Sequence, residues 1–159
     1  MAAGAATLAK FHRLTAAGGG RLIDGMKADI FTTCESATDN EDGTFTIYKA
    51  FSSFLVPSFP CNAEDMVFYT RLHCEEDESG ERAFTLLVID ADGSVLGRGQ
   101  RTILIPKAAL PQNRVHSIVL NMPILVLKQS GEYAVDLLVD DNFVLRSSFY
   151  VDCLESHKV

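Results

Sequence analysis

No run in the 159-residue sequence approaches the roughly 18 consecutive apolar residues that a membrane-spanning helix needs. A spanning helix is therefore excluded, and no membrane partner is expected. Tryptophan is absent. So are the G-x-S-x-G elbow, the phosphate loop, the dinucleotide fingerprint and the H-E-x-x-H pair, which removes the commonest signatures of hydrolase, nucleotide and metalloprotease chemistry. Cys34, Cys61, Cys74 and Cys153 form no CxxC pair, and His12, His73, His116 and His157 supply no HxxxH or CxxH spacing. No metal site can be read, and no cofactor is expected. Basic residues are scattered through a net acidic chain and make no phosphate-tracking stripe, which argues against nucleic acid.

What is present describes a globular protein. Hydrophobic residues make up 47% and charged residues 22%, with a formal charge of −7. A chain of this length corresponds to one domain with a core of its own, needing neither disulfides nor metals to fold. Its charge is unevenly spread. Between Glu35 and Asp92 thirteen acidic residues face three basic ones, net −10, whereas Arg98, Arg101, Lys107, Arg114 and Lys128 form a stretch of net +5 without an acid. Either the two stretches pair within the chain, or they make a bipolar surface that attracts a partner protein or a second copy, and a homodimer held partly by charge follows from the latter.

Residues 1–25 differ in kind. They are rich in Ala and Gly, carry Lys10, Arg13 and Arg21, and have no acid before Asp24. The bases follow a short Ala-rich stretch rather than precede a long apolar one, unlike an export signal, so a cytoplasmic protein with reduced cysteines is expected, two disulfides being the alternative. Leu8, Phe11 and Leu14 at three-residue spacing before Gly18-Gly19-Gly20 allow a short helix; a flexible leader or an organellar transit peptide fits the same composition. The strand pattern begins at Met26, as it would if an upstream start had added residues 1–25 to a domain spanning 26–159.

From there, short β segments alternate with turns. Strands are expected at Ala28 to Cys34, Thr44 to Val56, Met66 to Cys74, Arg82 to Asp90, Ser94 to Leu96, Arg101 to Ile105, Val115 to Met122, Gly131 to Val139 and Phe143 to Val151. Met66, Phe68, Thr70, Leu72 and Cys74 share one face, and Val67, Tyr69, Arg71 and His73 the other. Glu35 to Gly43 reads as a polar loop, Glu75 to Gly80 as an acidic turn, and Asp140-Asp141-Asn142 as a tight hairpin turn. About eight strands without a long helical period imply an all-β, antiparallel two-sheet sandwich of the immunoglobulin-like or Greek-key kind, with a short N-terminal leader or helix. Tyr133, just after Gly131, has the position of a tyrosine that hydrogen-bonds back to the preceding corner.

The run Gly43-Thr-Phe-Thr-Ile-Tyr-Lys-Ala-Phe-Ser-Ser-Phe-Leu-Val-Pro57-Ser-Phe-Pro60 resembles the opening signature of a bacterial family known only as a domain of unknown function. Asp90-Ala-Asp-Gly93 and Ser130-Gly-Glu-Tyr-Ala-Val-Asp-Leu-Leu-Val-Asp140 are similar to its later segments, so the resemblance covers about residues 26–152. It implies a small β-sandwich, often starting near the position of Met26, and carries no activity. Lys49 stands where the family pattern has a small residue, usually Gly, which leaves a tight bend there in question.

Chemistry is sparse. Asp39-Asn-Glu-Asp-Gly43 and Asp90-Ala-Asp92-Gly93 bunch oxygen donors as calcium loops do, but both lack the full calcium-loop pattern. His73–Cys74 and His116–Ser117 are strand neighbours, whose side chains point to opposite faces and cannot act as nucleophile and base. The expectation leans away from an enzyme and toward a bacterial binding or adaptor module. Its candidate interface residues are Tyr69, Arg71, His73, Arg146 and Tyr150, types favoured where proteins meet. Open sandwich edges add a second route, strand addition. A small-ligand or carbohydrate-binding sandwich, dependent on calcium at the acidic loops, is the alternative.

Overall fold

The computed structural model describes residues 26–108, 110 and 114–157; the leader expected at 1–25 lies outside them. The chain folds as a β-sandwich. Its strands are β1 (Lys27–Asp39), β2 (Phe45–Phe51), β3 (Ser53–Val56), β4 (Cys61–Ala63), β5 (Val67–His73), β6 (Gly80–Ile89), β7 (Val95–Ile105), β8 (Val115–Asn121), β9 (Leu125–Leu127), β10 (Gly131–Val139) and β11 (Asn142–Cys153). A four-stranded sheet runs β2-β1-β5-β8, a five-stranded sheet runs β3-β11-β10-β6-β7, and β4 pairs with β9. The inward residues of the two large sheets meet in one core. Phe68, Leu72, Ile118 and Leu120 come from the first sheet, and Phe84, Leu86, Val88, Val135, Leu137, Val139, Phe149 and Val151 from the second.

Several strands depart from the expected pattern for physical reasons. β1 runs on through Glu35–Asp39, which had read as a loop, because β2 supplies a backbone partner: Ser36 opposes Tyr48 and Thr38 opposes Thr46. Only Asn40 to Thr44 turn, closed by the Asn40 N–H on the Thr44 carbonyl at 2.8 Å. The segment read as one strand from Thr44 to Val56 serves both sheets. β2 pairs with β1, and after Ser52 alone β3 pairs with β11 in parallel, since it keeps the direction of β2 into the other sheet. An aromatic cluster fills that edge: the Phe51, Phe54 and Tyr133 rings each lie against Phe149 at 5.6–6.1 Å between centroids.

At the opposite edge β7 is one continuous strand where two, Ser94 to Leu96 and Arg101 to Ile105, are expected from the sequence. Glycine is required there by the chain crossing over it. A Cβ on Gly97 would lie 2.7 Å from Pro123 Cγ, and one on Gly99 would lie 3.1 Å from the Asn121 carbonyl oxygen. β4 and β9, three residues each, are too short to show a period. Where turn chemistry was strong the expectation held. Asp140 and Asp141 both take positive φ, as a two-residue hairpin turn demands, and the Tyr133 hydroxyl donates to the Gln129 carbonyl at 2.6 Å.

Candidate functional site

The candidate interface residues fall on the two outer faces of the sandwich. Tyr69, Arg71 and His73 point outward from β5. Their partners on β1 are Thr32, Ile30 and Lys27, and a register shift between Ala28 and Ile30 brings Asp29 onto the same face. The Arg71 guanidinium grips Asp29 with two nitrogens, Nε lying 2.9 Å from Oδ1, and His73 Nε2 lies 3.0 Å from Oδ2. These bonds, that of Arg71 above all, hold the Asp29 carboxyl well below the usual carboxylate range.

Tyr69 corrects the expectation of an exposed trio. It faces outward yet is 0% exposed. Tyr69 pairs with Thr32, whereas Phe45 pairs with Asp39, seven positions further along β1. At about 3.3 Å per residue a straight strand would hold the two rings on the order of 20 Å apart. They stack instead at 4.7 Å between centroids, so the tip of the β1–β2 hairpin folds back over the sheet. The bend coincides with Lys49, at φ 49° in the left-handed region that favours glycine, where the family pattern led one to expect a small residue. Lys49 Nζ meets Glu35 across the bend at 3.2 Å. Beneath the hairpin the Tyr69 hydroxyl is 3.0 Å from the Ser117 hydroxyl, burial pushes the phenol pKa up, and the Arg71 guanidinium sits 6.0 Å from the Phe45 ring centroid.

The outer face of the five-stranded sheet is built differently. Register places Leu87, Asp136 and Arg146 in one row across β6, β10 and β11, Ile89, Ala134 and Ser148 in the next, and Thr85 with Leu138 on the other side. Asp136 and Arg146 form a two-pronged ion pair, Arg146 Nη2 lying 2.8 Å from Oδ2. Their side chains are only 6% and 15% exposed. The buried Thr85 hydroxyl finds no hydrogen-bond partner among the described residues. Around this polar centre lie half-buried Leu87, Ile89, Ala134 and Leu138. Tyr150, Leu55 and Val95 point out from the same face, 48%, 53% and 58% exposed. Of the five candidates, this face gathers Arg146 and Tyr150. Leu55, which the sequence pattern sets in phase with Phe45, Ile47 and Phe51, is instead exposed on this face, because β3 changes sheets and Leu55 pairs with Asp152.

The remaining polar candidates are engaged locally. Asp42 accepts the Thr44 N–H at 2.9 Å, and Asp90 accepts the N–H groups of Asp92 and Ser94 at 3.0 and 2.9 Å, so both acidic loops turn a carboxylate onto their own backbone. Cys74 is buried in the core while His73 holds Asp29, and His116 shares the inward side with Leu72 while Ser117 turns out to Tyr69. Part of the charge asymmetry closes within the chain: Arg114 reaches Glu75 at 3.2 Å and Lys107 reaches Glu76 at 3.5 Å. Glu78 was unforeseen. It closes a capping box in the acidic turn, accepting the Glu75 N–H at 2.6 Å, while burial pushes its carboxyl pKa up.

Residues 29–152 match a family of unknown function, DUF6941. The chain belongs to that family. No curated protein matches it. Among solved structures it is similar to a glycosyl hydrolase family 2 member from Bacteroides cellulosilyticus, at 15% identity and a TM-score of 0.43 over 60% of this chain. It is also similar to the alkylpurine DNA glycosylase AlkC of Pseudomonas fluorescens, at 9% identity and 0.45 over 89% of this chain and 34% of the glycosylase. A third is an immunoglobulin-like protein from Pseudomonas aeruginosa, at 13% identity and 0.39 over 84% of this chain and 99% of that one. The chain spans 13% of the length of the glycosyl hydrolase. No helix among the described residues is long and apolar enough to cross a membrane.

Proposed function

We propose that this DUF6941 domain is a non-enzymatic bacterial binding module of the cytoplasm that receives a partner protein on the outer face of its five-stranded sheet. The observation that carries this reading is the contrast of chemistry on that face: a desolvated Arg146–Asp136 pair ringed by half-buried aliphatic side chains, with Tyr150, Leu55 and Val95 standing out of it. Aromatic and Arg anchors beside aliphatic surface, with charges already paired, are the composition of an interface centre.

The sheet edges favour a face over strand addition. β2 bends at Lys49 and hands its chain to β3, which is four residues long and ends before Pro57. On β7 the Asn121–Leu125 chain packs against the inward side of Gly97 and Gly99, and Arg101 donates to the Val119 carbonyl on β8 at 3.2 Å, tying that edge to the other sheet. Bends, short strands and ties between sheets blunt strand edges.

Affinity capture with the immobilised protein tests the proposal. A partner recovered by the unmodified chain should be lost from Tyr150→Asp and Leu55→Asp variants that still fold. Equal recovery by the variants, or a turnover abolished by one His or Asp substitution, would overturn it.

A further inference from the structure

We propose that the cleft between β7 and β8 is a binding site for a small anion, whose carboxylate or phosphate oxygens are held by the Arg101 guanidinium. Gly99, Gln100 and Arg101 of β7 and Leu120 and Asn121 of β8 line the cleft, which has a volume of about 220 Å³. Sites for drug-sized ligands run to roughly 300–1,000 Å³, so this one suits a smaller molecule. β7 and β8 are the end strands of their sheets, and the cleft therefore runs along two backbone edges that no strand pairs. Leu120, buried in the core, gives it an apolar wall.

Charge sets the ligand class. The acid-free stretch from Arg98 to Lys128 is only partly neutralised within the chain: Arg98 meets Asp141 at 3.9 Å, Lys107 meets Glu76, and Arg114 meets Glu75 and Glu76. Arg101 and Lys128 meet no carboxylate among the described residues, and of the two only Arg101 lines the cleft. Its Nη1 donates to the Val119 carbonyl, which fixes the guanidinium against β8. Nε and Nη2 have no partner among the described residues. They are the two atoms with which Arg71 holds Asp29 and Arg146 holds Asp136, and their planar fork matches two oxygens of one carboxylate or phosphate. The Gln100 and Asn121 amides supply further donors, and β7, β8 and β9 carry no acidic residue to repel an anion. The cleft lies at the seam between the sheets rather than on the outer face proposed to receive a protein, so either site can stand without the other.

Isothermal titration of the full chain with succinate and, separately, with inorganic phosphate at low ionic strength tests it. At least one should bind saturably, one per chain, and the tighter of the two shows which oxyanion the cleft prefers. Arg101→Gln should weaken that binding about tenfold or more, through loss of charge-assisted hydrogen bonds. Asn121→Asp keeps Arg101 and its bond to β8 but gives the guanidinium a carboxylate within the lining, and should weaken binding comparably. Lys128→Gln, which removes the other unpaired cation, should leave it unchanged. The proposal would be overturned by the absence of saturable binding for both anions, or by undiminished affinity in Arg101→Gln protein that still melts cooperatively. An equal loss in Lys128→Gln would overturn it too, because the attraction would then be one of general charge.

Discussion

The two outer faces of this sandwich solve one problem in opposite ways. On the four-stranded sheet the chain covers its own aromatic surface: the β1–β2 hairpin folds back, Phe45 lies on Tyr69, and Arg71 and His73 converge on Asp29. On the five-stranded sheet nothing among the described residues plays that part, and the aliphatic ring around Asp136 and Arg146 meets solvent. Residue types that look alike in the sequence, Tyr with Arg on one strand, thus have different roles. Tyr69 packs, whereas Tyr150 is available.

The largest effect is expected on the uncovered face. Arg146→Ala leaves Asp136 as a nearly buried carboxylate without its partner, which should cost about 3 kcal/mol in urea unfolding. A joint Asp136→Leu and Arg146→Met replacement should recover most of that, because removing both charges removes the desolvation penalty as well. A small cost for Arg146→Ala would mean that water reaches Asp136, and the face would lose its desolvated centre.

Next is the covering itself. Phe45→Ala should cost about 2 kcal/mol, from lost burial and the lost stack. It should also make Tyr69 reactive toward iodination, from which the covered phenol is shielded in the unmodified protein. An unreactive Tyr69 in that variant would show that the hairpin is held down by other contacts.

The pH dependence separates the faces further. Since Asp29 is held below its unfolded pKa, its contribution to stability is fully present above the unfolded carboxylate value and is lost as pH falls through the folded one. Asp29→Asn should therefore lower stability at neutral pH, modestly because Asp29 is partly exposed and its pairs are screened, and flatten the acid limb of a stability profile, the two proteins converging as pH falls. An acid limb unchanged in Asp29→Asn would place the titration elsewhere. The smallest effect is that of Tyr150→Ala, within about 0.5 kcal/mol of the unmodified protein. A larger loss would mean that Tyr150 supports the fold rather than standing ready for a partner.

Much of the architecture was legible because alternation and turn chemistry are local. Gly131–Val139 was bounded correctly, since its inward Tyr133, Val135, Leu137 and Val139 alternate without a break and the Asp140-Asp141 turn ends it. The division of β5 into two faces was equally readable. What could not be read was accessibility. Period 2 says which way Tyr69 points, but not that Phe45, 24 positions earlier, lies over it; nor does it show that an outward Asp136 becomes buried once Leu87 and Arg146 flank it from neighbouring strands.

By itself, then, the sequence determined strand after strand, the inward residue set, the tight hairpin at Asp140 and the corner tyrosine, because each depends on neighbours within a few residues. Only the tertiary structure decided that one continuous segment serves both sheets, that Gly97 and Gly99 admit a crossing chain, and which outer face is covered. Those outcomes depend on pairings between residues far apart in the chain, and two-residue periodicity carries no information about which strand will lie beside which.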